Sequence, residues 1–249
     1  MMMESRFPEE ILHRLYRSGV VACATIENPQ HSVPVARALV SGGIDAMELT
    51  LRTPNAVESL RRIVAEVPEM LVGVGTILFP EQIRDVVAAG AAFGVAPGLS
   101  ERVVKTAQDA GLPFAPGIAT PSELEKGIEY GCREMKFFPV ESIGGIAYMK
   151  SVWTPYAHLG IRFVPMGGIN LNNLADYLRE KMVLSIGGSW IITQELLRSE
   201  NWSKITDAAR TATDIVFQIR QNGHDLVHRQ TNKIQIERLR GTWQSPLAE

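Results

Sequence analysis

Two polar side chains stand where apolar ones are expected. In Ala46-Met47-Glu48-Leu49-Thr50-Leu51-Arg52, the two-residue period of a strand puts Glu48, Thr50 and Arg52 on one face and Met47, Leu49 and Leu51 on the other. In Met135-Lys136-Phe137-Phe138-Pro139, a lysine interrupts an apolar run. An unpaired buried ammonium or carboxylate is costly, so Lys136 and Glu48 are expected to face one another or a solvent-filled mouth. One reading is an ion pair that braces the interior, although such pairs stabilise less than apolar packing. The other reading is chemical. Loss of hydration favours a neutral amine, which is the nucleophile that attacks a ketone to form a Schiff base. A nearby carboxylate can move protons to and from the reacting atoms, and an arginine fork suits a substrate carboxylate.

Two further segments point to an anion. Pro165-Met166-Gly167-Gly168-Ile169-Asn170 and Ile186-Gly187-Gly188-Ser189 each follow a strand candidate. Glycines let a ligand approach the backbone closely, and Ser189 adds a hydroxyl donor. A single Gly-Gly is an ordinary turn. Two of them after the last two strands of a barrel match the usual location of a phosphate site. Metal ligation has no comparable signal. The five histidines, His13, His31, His158, His224 and His228, show no ligand spacing at a strand end, and His224 and His228 read as a solvated pair in a polar tail. Cys23 and Cys132 are far apart and read as reduced structural thiols.

The elements that must position these residues alternate along the chain. Strand candidates are Val20–Thr25, Ala46–Leu51, Leu71–Gly75, Phe93–Ala96, Pro113–Ala115, Met135–Phe138, Arg162–Pro165 and Val183–Ile186. Helical patterns lie between them. Thr53-Pro54 reads as an N-cap followed by a first-turn proline, and Thr120-Pro121-Ser122-Glu123 as a capping box. Gly42, Gly90, Gly111 and Gly131 stand where helices end. Alternating strand and helix argues for a parallel sheet, and eight such units favour closure. The expected fold is a single α/β domain, a (β/α)8 TIM barrel over residues 1–220, with an extra N-terminal helix from Pro8 to Gly19 and a polar C-terminal extension over 221–249. Asn201 to Arg220 reads as the last barrel helix. A doubly wound open sheet is the runner-up, but it lacks an early glycine-rich dinucleotide loop.

Composition agrees with an enzyme of this kind. The chain has 249 residues, the usual size of one barrel, with 45% hydrophobic and 21% charged residues. A formal net charge of -2 argues against nucleic acid as a partner. No apolar run is long enough to span a membrane, and the charged first residues do not resemble a signal peptide.

These residues also resemble a known family, the 2-keto-3-deoxy-6-phosphogluconate (KDPG) and 4-hydroxy-2-oxoglutarate (KHG) aldolases. The resemblance runs from about Gly19 to Arg220. It rests on Glu48-Leu-Thr-Leu-Arg52-Thr53, Gly73-Val-Gly-Thr76, Ala96-Pro97-Gly98, Pro116-Gly117, Lys136-Phe-Phe-Pro139 and Gly187-Gly188-Ser189-Trp190. It implies that Lys136 forms the Schiff base and Glu48 transfers protons. It also implies that Arg52 and Thr76 hold the pyruvyl carboxylate, that Pro97 and Phe138 line the pocket, and that Gly167, Gly168, Gly188 and Ser189 surround the phosphate. A cytoplasmic homotrimer without metal or organic cofactor is implied as well. The family commonly has a threonine where Met166 stands, so a thioether replaces a hydroxyl donor, with consequences for substrate choice or turnover.

The expected activity is cleavage of KDPG to pyruvate and glyceraldehyde 3-phosphate. Alternatives are a 4-hydroxy-2-oxoglutarate or 2-keto-3-deoxy-6-phosphogalactonate aldolase, a sugar-phosphate isomerase that needs no covalent Lys136, or a noncatalytic phosphosugar-binding barrel. Fold cannot separate these, and the site must.

Overall fold

The computed structural model describes residues 3–220. The polar extension expected over 221–249, with His224 and His228, lies outside the described residues. Helix α1 (Glu9–Ser18) precedes β1 (Val20–Ala24), as the extra N-terminal helix was expected to do. The chain then alternates through α2 (Ser32–Ser41), β2 (Ala46–Thr50), α3 (Ala56–Glu66), β3 (Leu71–Gly75), α4 (Glu81–Ala88), β4 (Phe93–Val95) and α5 (Glu101–Asp109). Strands β5 (Phe114–Ala115) and β6 (Gly117–Ile118) are followed by α6 (Pro121–Glu129), β7 (Glu134–Phe137) and α7 (Gly145–Trp153). The series closes with β8 (Arg162–Pro165), α8 (Leu174–Leu178), β9 (Ile186–Gly188), α9 (Gln194–Arg198) and α10 over residues 202–220.

All strand pairs are parallel. Six strands form one curled sheet in the order β5-β4-β3-β2-β1-β9, and three form a second in the order β6-β7-β8. A continuously closed eight-stranded ladder is therefore not what the hydrogen bonds draw. The two sheets adjoin at two places. The expected strand Pro113–Ala115 is the short β5, and Pro116, which has no N–H to donate, separates it from a further short strand, β6, that was not expected. Between β8 and β9 there is a single bridge, Phe163 to Val183.

The expected last strand, Val183–Ile186, is also displaced. Pairing with β1 starts at Ile186, opposite Val20, and runs to Gly188. A run of apolar residues does not fix where its ladder begins, because each of them is buried whichever neighbour it pairs with. The helix expected at Thr53-Pro54 begins later, at Ala56, because the Thr53 hydroxyl donates to the Ile26 carbonyl (2.8 Å). The capping box at Thr120 and Glu123 is present.

Burial separates the strand residues by parity. Met47, Leu49, Val72, Val74, Met135, Phe137 and Phe163 join the core beneath the helices. Val21, Ala46, Leu71, Phe93, Val95, Val164 and Met166 form a second cluster on the concave face, together with Phe7, Leu12 and Leu15. The N-terminal segment thus packs on the starts of the strands and leaves their carboxyl ends open for chemistry. No helix among the described residues is long and apolar enough to cross a membrane.

Candidate active site

Strand β7 brings two charged side chains to the concave face, two residues apart, and each finds a partner at a different level. Glu134, near the strand start, accepts from Arg162 of β8 (2.8 Å) and from Ser5 (2.6 Å). The register pairs Glu134 with Arg162, so this buried carboxylate ties neighbouring strands and the N-terminal segment together. Lys136, one step nearer the carboxyl end, is 6% exposed, and its Nζ donates to Glu48 Oε1 and Oε2 at 3.2 and 3.3 Å. Glu48 is 2% exposed. The face-to-face arrangement expected from the two strand patterns is therefore present. Lys136 Nζ also lies 5.4 Å from the centre of the Phe138 ring.

Room for the Glu48 carboxylate comes from Gly75. A Cβ there would lie 1.8 Å from Oε1, so only glycine fits beside it. On the opposite flank, the register sets Cys23 of β1 against Glu48, and the thiol donates to Oε2 at 3.5 Å. Burial, and then the Glu48 carboxylate, push the Cys23 thiol well up from its ordinary value, so it remains a protonated donor. Cys23 also touches the Met166 sulfur at 3.9 Å. Met166 is 5% exposed and fills the space that the missing side chain of Gly187 leaves open. From its sequence context Cys23 reads only as a structural thiol. The period of two does group Val21, Cys23 and Thr25, but nothing local says that this face is the concave one.

The other expected site residues lie just beyond strand carboxyl ends. Arg52 follows β2 and Thr76 follows β3, and Arg52 Nε donates to the Thr76 hydroxyl at 3.3 Å. Thr76 has φ 61°, a left-handed conformation that a β-branched residue avoids, at a cost on the order of 1–3 kcal/mol. Such strain clusters at ligand-holding positions. Pro97 follows β4, where its carbonyl packs against Gly117, and Phe138 follows β7.

After β8, Gly167 and Gly168 adopt φ 96° and 92°. The turn's carbonyl groups are engaged by protein. Met166 and Gly167 accept from the Val140 and Glu141 N–H groups at 2.8 and 3.0 Å, and Gly168 accepts from the side-chain amides of Asn170 and Asn173 at 3.2 and 3.4 Å. Among the described residues, the N–H groups of Gly167, Gly168 and Ile169 have no protein acceptor. Engaged carbonyls and free N–H groups leave this turn able to accept an anion. After β9, Ser189 is exposed. A Cβ on Gly188 would lie 1.6 Å from the Trp190 ring. That space is taken by Trp190. Among the described residues, no group of three His, Cys, Asp or Glu side chains is placed to hold a metal ion.

Comparison with known proteins gives a consistent result. Residues 11–208 match the model of the KDPG and KHG aldolase family. The chain is 47% identical over 193 residues to a 2-dehydro-3-deoxy-phosphogluconate aldolase of Dickeya dadantii, covering 78% of this chain and 90% of that protein. It is 44% identical over 195 residues to a KHG/KDPG aldolase of Escherichia coli, covering 78% and 91%. Among solved structures it resembles a KDPG aldolase of Legionella pneumophila with pyruvate captured as a covalent carbinolamine (TM-score 0.76, 37% identity, covering 80% and 96%). It also resembles a Zymomonas mobilis 2-keto-3-deoxy-6-phosphogluconate aldolase with 3-phosphoglycerate (TM-score 0.76, 34% identity, covering 83% and 96%).

Proposed function

The chain belongs to the KDPG and KHG aldolase family, and on that footing we propose that it cleaves 2-keto-3-deoxy-6-phosphogluconate to pyruvate and glyceraldehyde 3-phosphate through a Schiff base on Lys136. The observation that carries the reading is the Lys136 amine within 3.2 Å of the Glu48 carboxylate. Glu48 accepts a proton from the ammonium, and the neutral amine adds to the C2 ketone to give a carbinolamine. Protonation of its hydroxyl by Glu48, directly or through water, expels water and leaves an iminium. Glu48, now a carboxylate, takes the C4 hydroxyl proton directly or through water, and C3–C4 breaks. The bonding electrons flow into the iminium, leaving an enamine and releasing glyceraldehyde 3-phosphate. Glu48 returns a proton to C3, and water hydrolyses the resulting imine to free pyruvate and the amine.

Within this reading, Arg52 and Thr76 hold the pyruvyl carboxylate, and Pro97 and Phe138 flank the carbon chain. The free N–H groups of the Gly167–Gly168 turn, the Gly188 backbone and the Ser189 hydroxyl take the phosphate, with Trp190 packed beside Gly188. Catalysis is assigned to one domain over residues 1–220. The two sheets are read as one (β/α)8 barrel, supported by the Phe163–Val183 bridge and by Pro116 between β5 and β6. A cytoplasmic homotrimer completes the proposal, with exposed Leu78 and Phe79 beyond β3 offering apolar surface to a neighbouring copy.

Borohydride reduction in the presence of pyruvate, followed by peptide mapping, tests the covalent step. One adduct per chain on Lys136 is expected. An adduct on another lysine, or none, overturns the mechanism.

A further inference from the structure

The turn that would receive the phosphate is held from behind by a side chain that no part of the mechanism uses. Glu141 follows β7, and its N–H already donates to the Gly167 carbonyl at 3.0 Å. Its side chain also lies against the turn. A Cβ on Gly168 would lie 2.6 Å from the Glu141 Cβ and 2.8 Å from its Cγ. The carboxylate is itself tethered, because Oε1 accepts from the Tyr177 hydroxyl of α8. Tyr177 is fully buried, so the packing around its ring sets where its hydroxyl lies. Burial, and then the hydrogen bond to Glu141, push the Tyr177 hydroxyl up from its ordinary value, which keeps it a donor across the working pH range.

A carboxylate beside an anion receptor would ordinarily repel the ligand. Its charge is thus a poor reason for its presence, and its position a better one. We propose that Glu141 is a positioning residue of the Gly167–Gly168 turn, a strut held by Tyr177 that keeps the turn's free N–H groups aimed at the substrate's phosphate. The proposal rests on the reading of that turn as the phosphate receptor. It assigns to Glu141 and Tyr177 the distinction between phosphorylated and unphosphorylated keto acids, and no part in Schiff-base chemistry.

The test compares Glu141→Ala, Glu141→Gln and Tyr177→Phe with the parent protein. The substrates are 2-keto-3-deoxy-6-phosphogluconate and its unphosphorylated analogue, and exchange of pyruvate methyl protons with solvent reports the Lys136 chemistry alone. Glu141→Ala and Tyr177→Phe should lower kcat/KM for the phosphorylated substrate by about 10- to 100-fold, mostly through KM, as expected of sub-ångström misplacement. Cleavage of the unphosphorylated analogue and proton exchange should stay within about twofold of the parent. Glu141→Gln retains shape and an acceptor for Tyr177, so it should keep the preference. Retention of the full preference in Glu141→Ala and Tyr177→Phe would overturn the strut. So would equal losses with both substrates and in exchange, which mark general damage. If the parent itself makes no distinction between the two substrates, the phosphate reading fails and the strut falls with it.

Discussion

Lys136 Nζ and Glu48 Oε1 lie 3.2 Å apart, on strands β7 and β2 that belong to different sheets, and both residues are almost wholly buried. No third charged side chain forms an ion pair with either of them among the described residues. In the proposed mechanism the pair is a donor and an acceptor for the same proton, whose transfer frees the amine as a nucleophile. Glu48→Gln keeps shape and polarity but removes the base. It should lower turnover by about 10²–10⁴, the usual contribution of such groups. Proton exchange at the pyruvate methyl group, followed by NMR, should slow with it. Exchange at the parent rate would reassign the proton carrier.

The same pair sets a stability relationship. Lys136→Met removes the covalent site and leaves Glu48 buried with only the weak Cys23 donor. Breaking one side of a buried pair costs about 3–5 kcal/mol, whereas replacing both sides with apolar groups is often near neutral. Urea melts should therefore find Lys136→Met destabilised and the Lys136→Met, Glu48→Leu double variant closer to the parent. A double variant weaker than either single one would show that the two residues do not act as a pair.

Ser189 and Gly188 are adjacent but should respond differently. Ser189→Ala should cost about 1.5–3 kcal/mol in kcat/KM for the phosphorylated substrate if its hydroxyl bonds a charged phosphate. Pyruvate trapping at Lys136 should be unaffected. Gly188→Val instead drives a side chain into the Trp190 ring, so its main effect should be a lower melting temperature. An unchanged melting temperature would mean that Trp190 moves aside without cost.

Cys132 gives a pH-dependent prediction. Burial pushes its thiol up from the ordinary 9.0 to about 12. The folded state thus keeps the proton that the unfolded chain releases. The contribution to stability is complete below pH 9.0 and is lost as pH rises toward about 12. In denaturant melts, the stability difference between the parent and Cys132→Ala should be constant up to about pH 8.5 and should shrink above it. A difference that stays flat to pH 10.5 would place the folded thiol at an ordinary value.

By itself the sequence determined the alternation of strands and helices, the N-terminal helix, the capping box at Thr120, and the oddity of a lysine and a glutamate in buried strands. Those properties are local: periodicity, caps and breakers act within a few residues, and a charge in an apolar run is visible without neighbours. Only the tertiary structure decided that Lys136 meets Glu48 rather than a solvent-filled mouth, that Gly75 and Cys23 flank the carboxylate, and that Ile186 rather than Val183 begins the last strand. It also decided that Trp190 occupies the space beside Gly188 and that Glu141 packs against the turn after β8. Each of these depends on the register between strands or on contact between segments far apart in the chain. A period of two divides a strand into faces, but the direction in which the sheet curls decides which face encloses the chemistry.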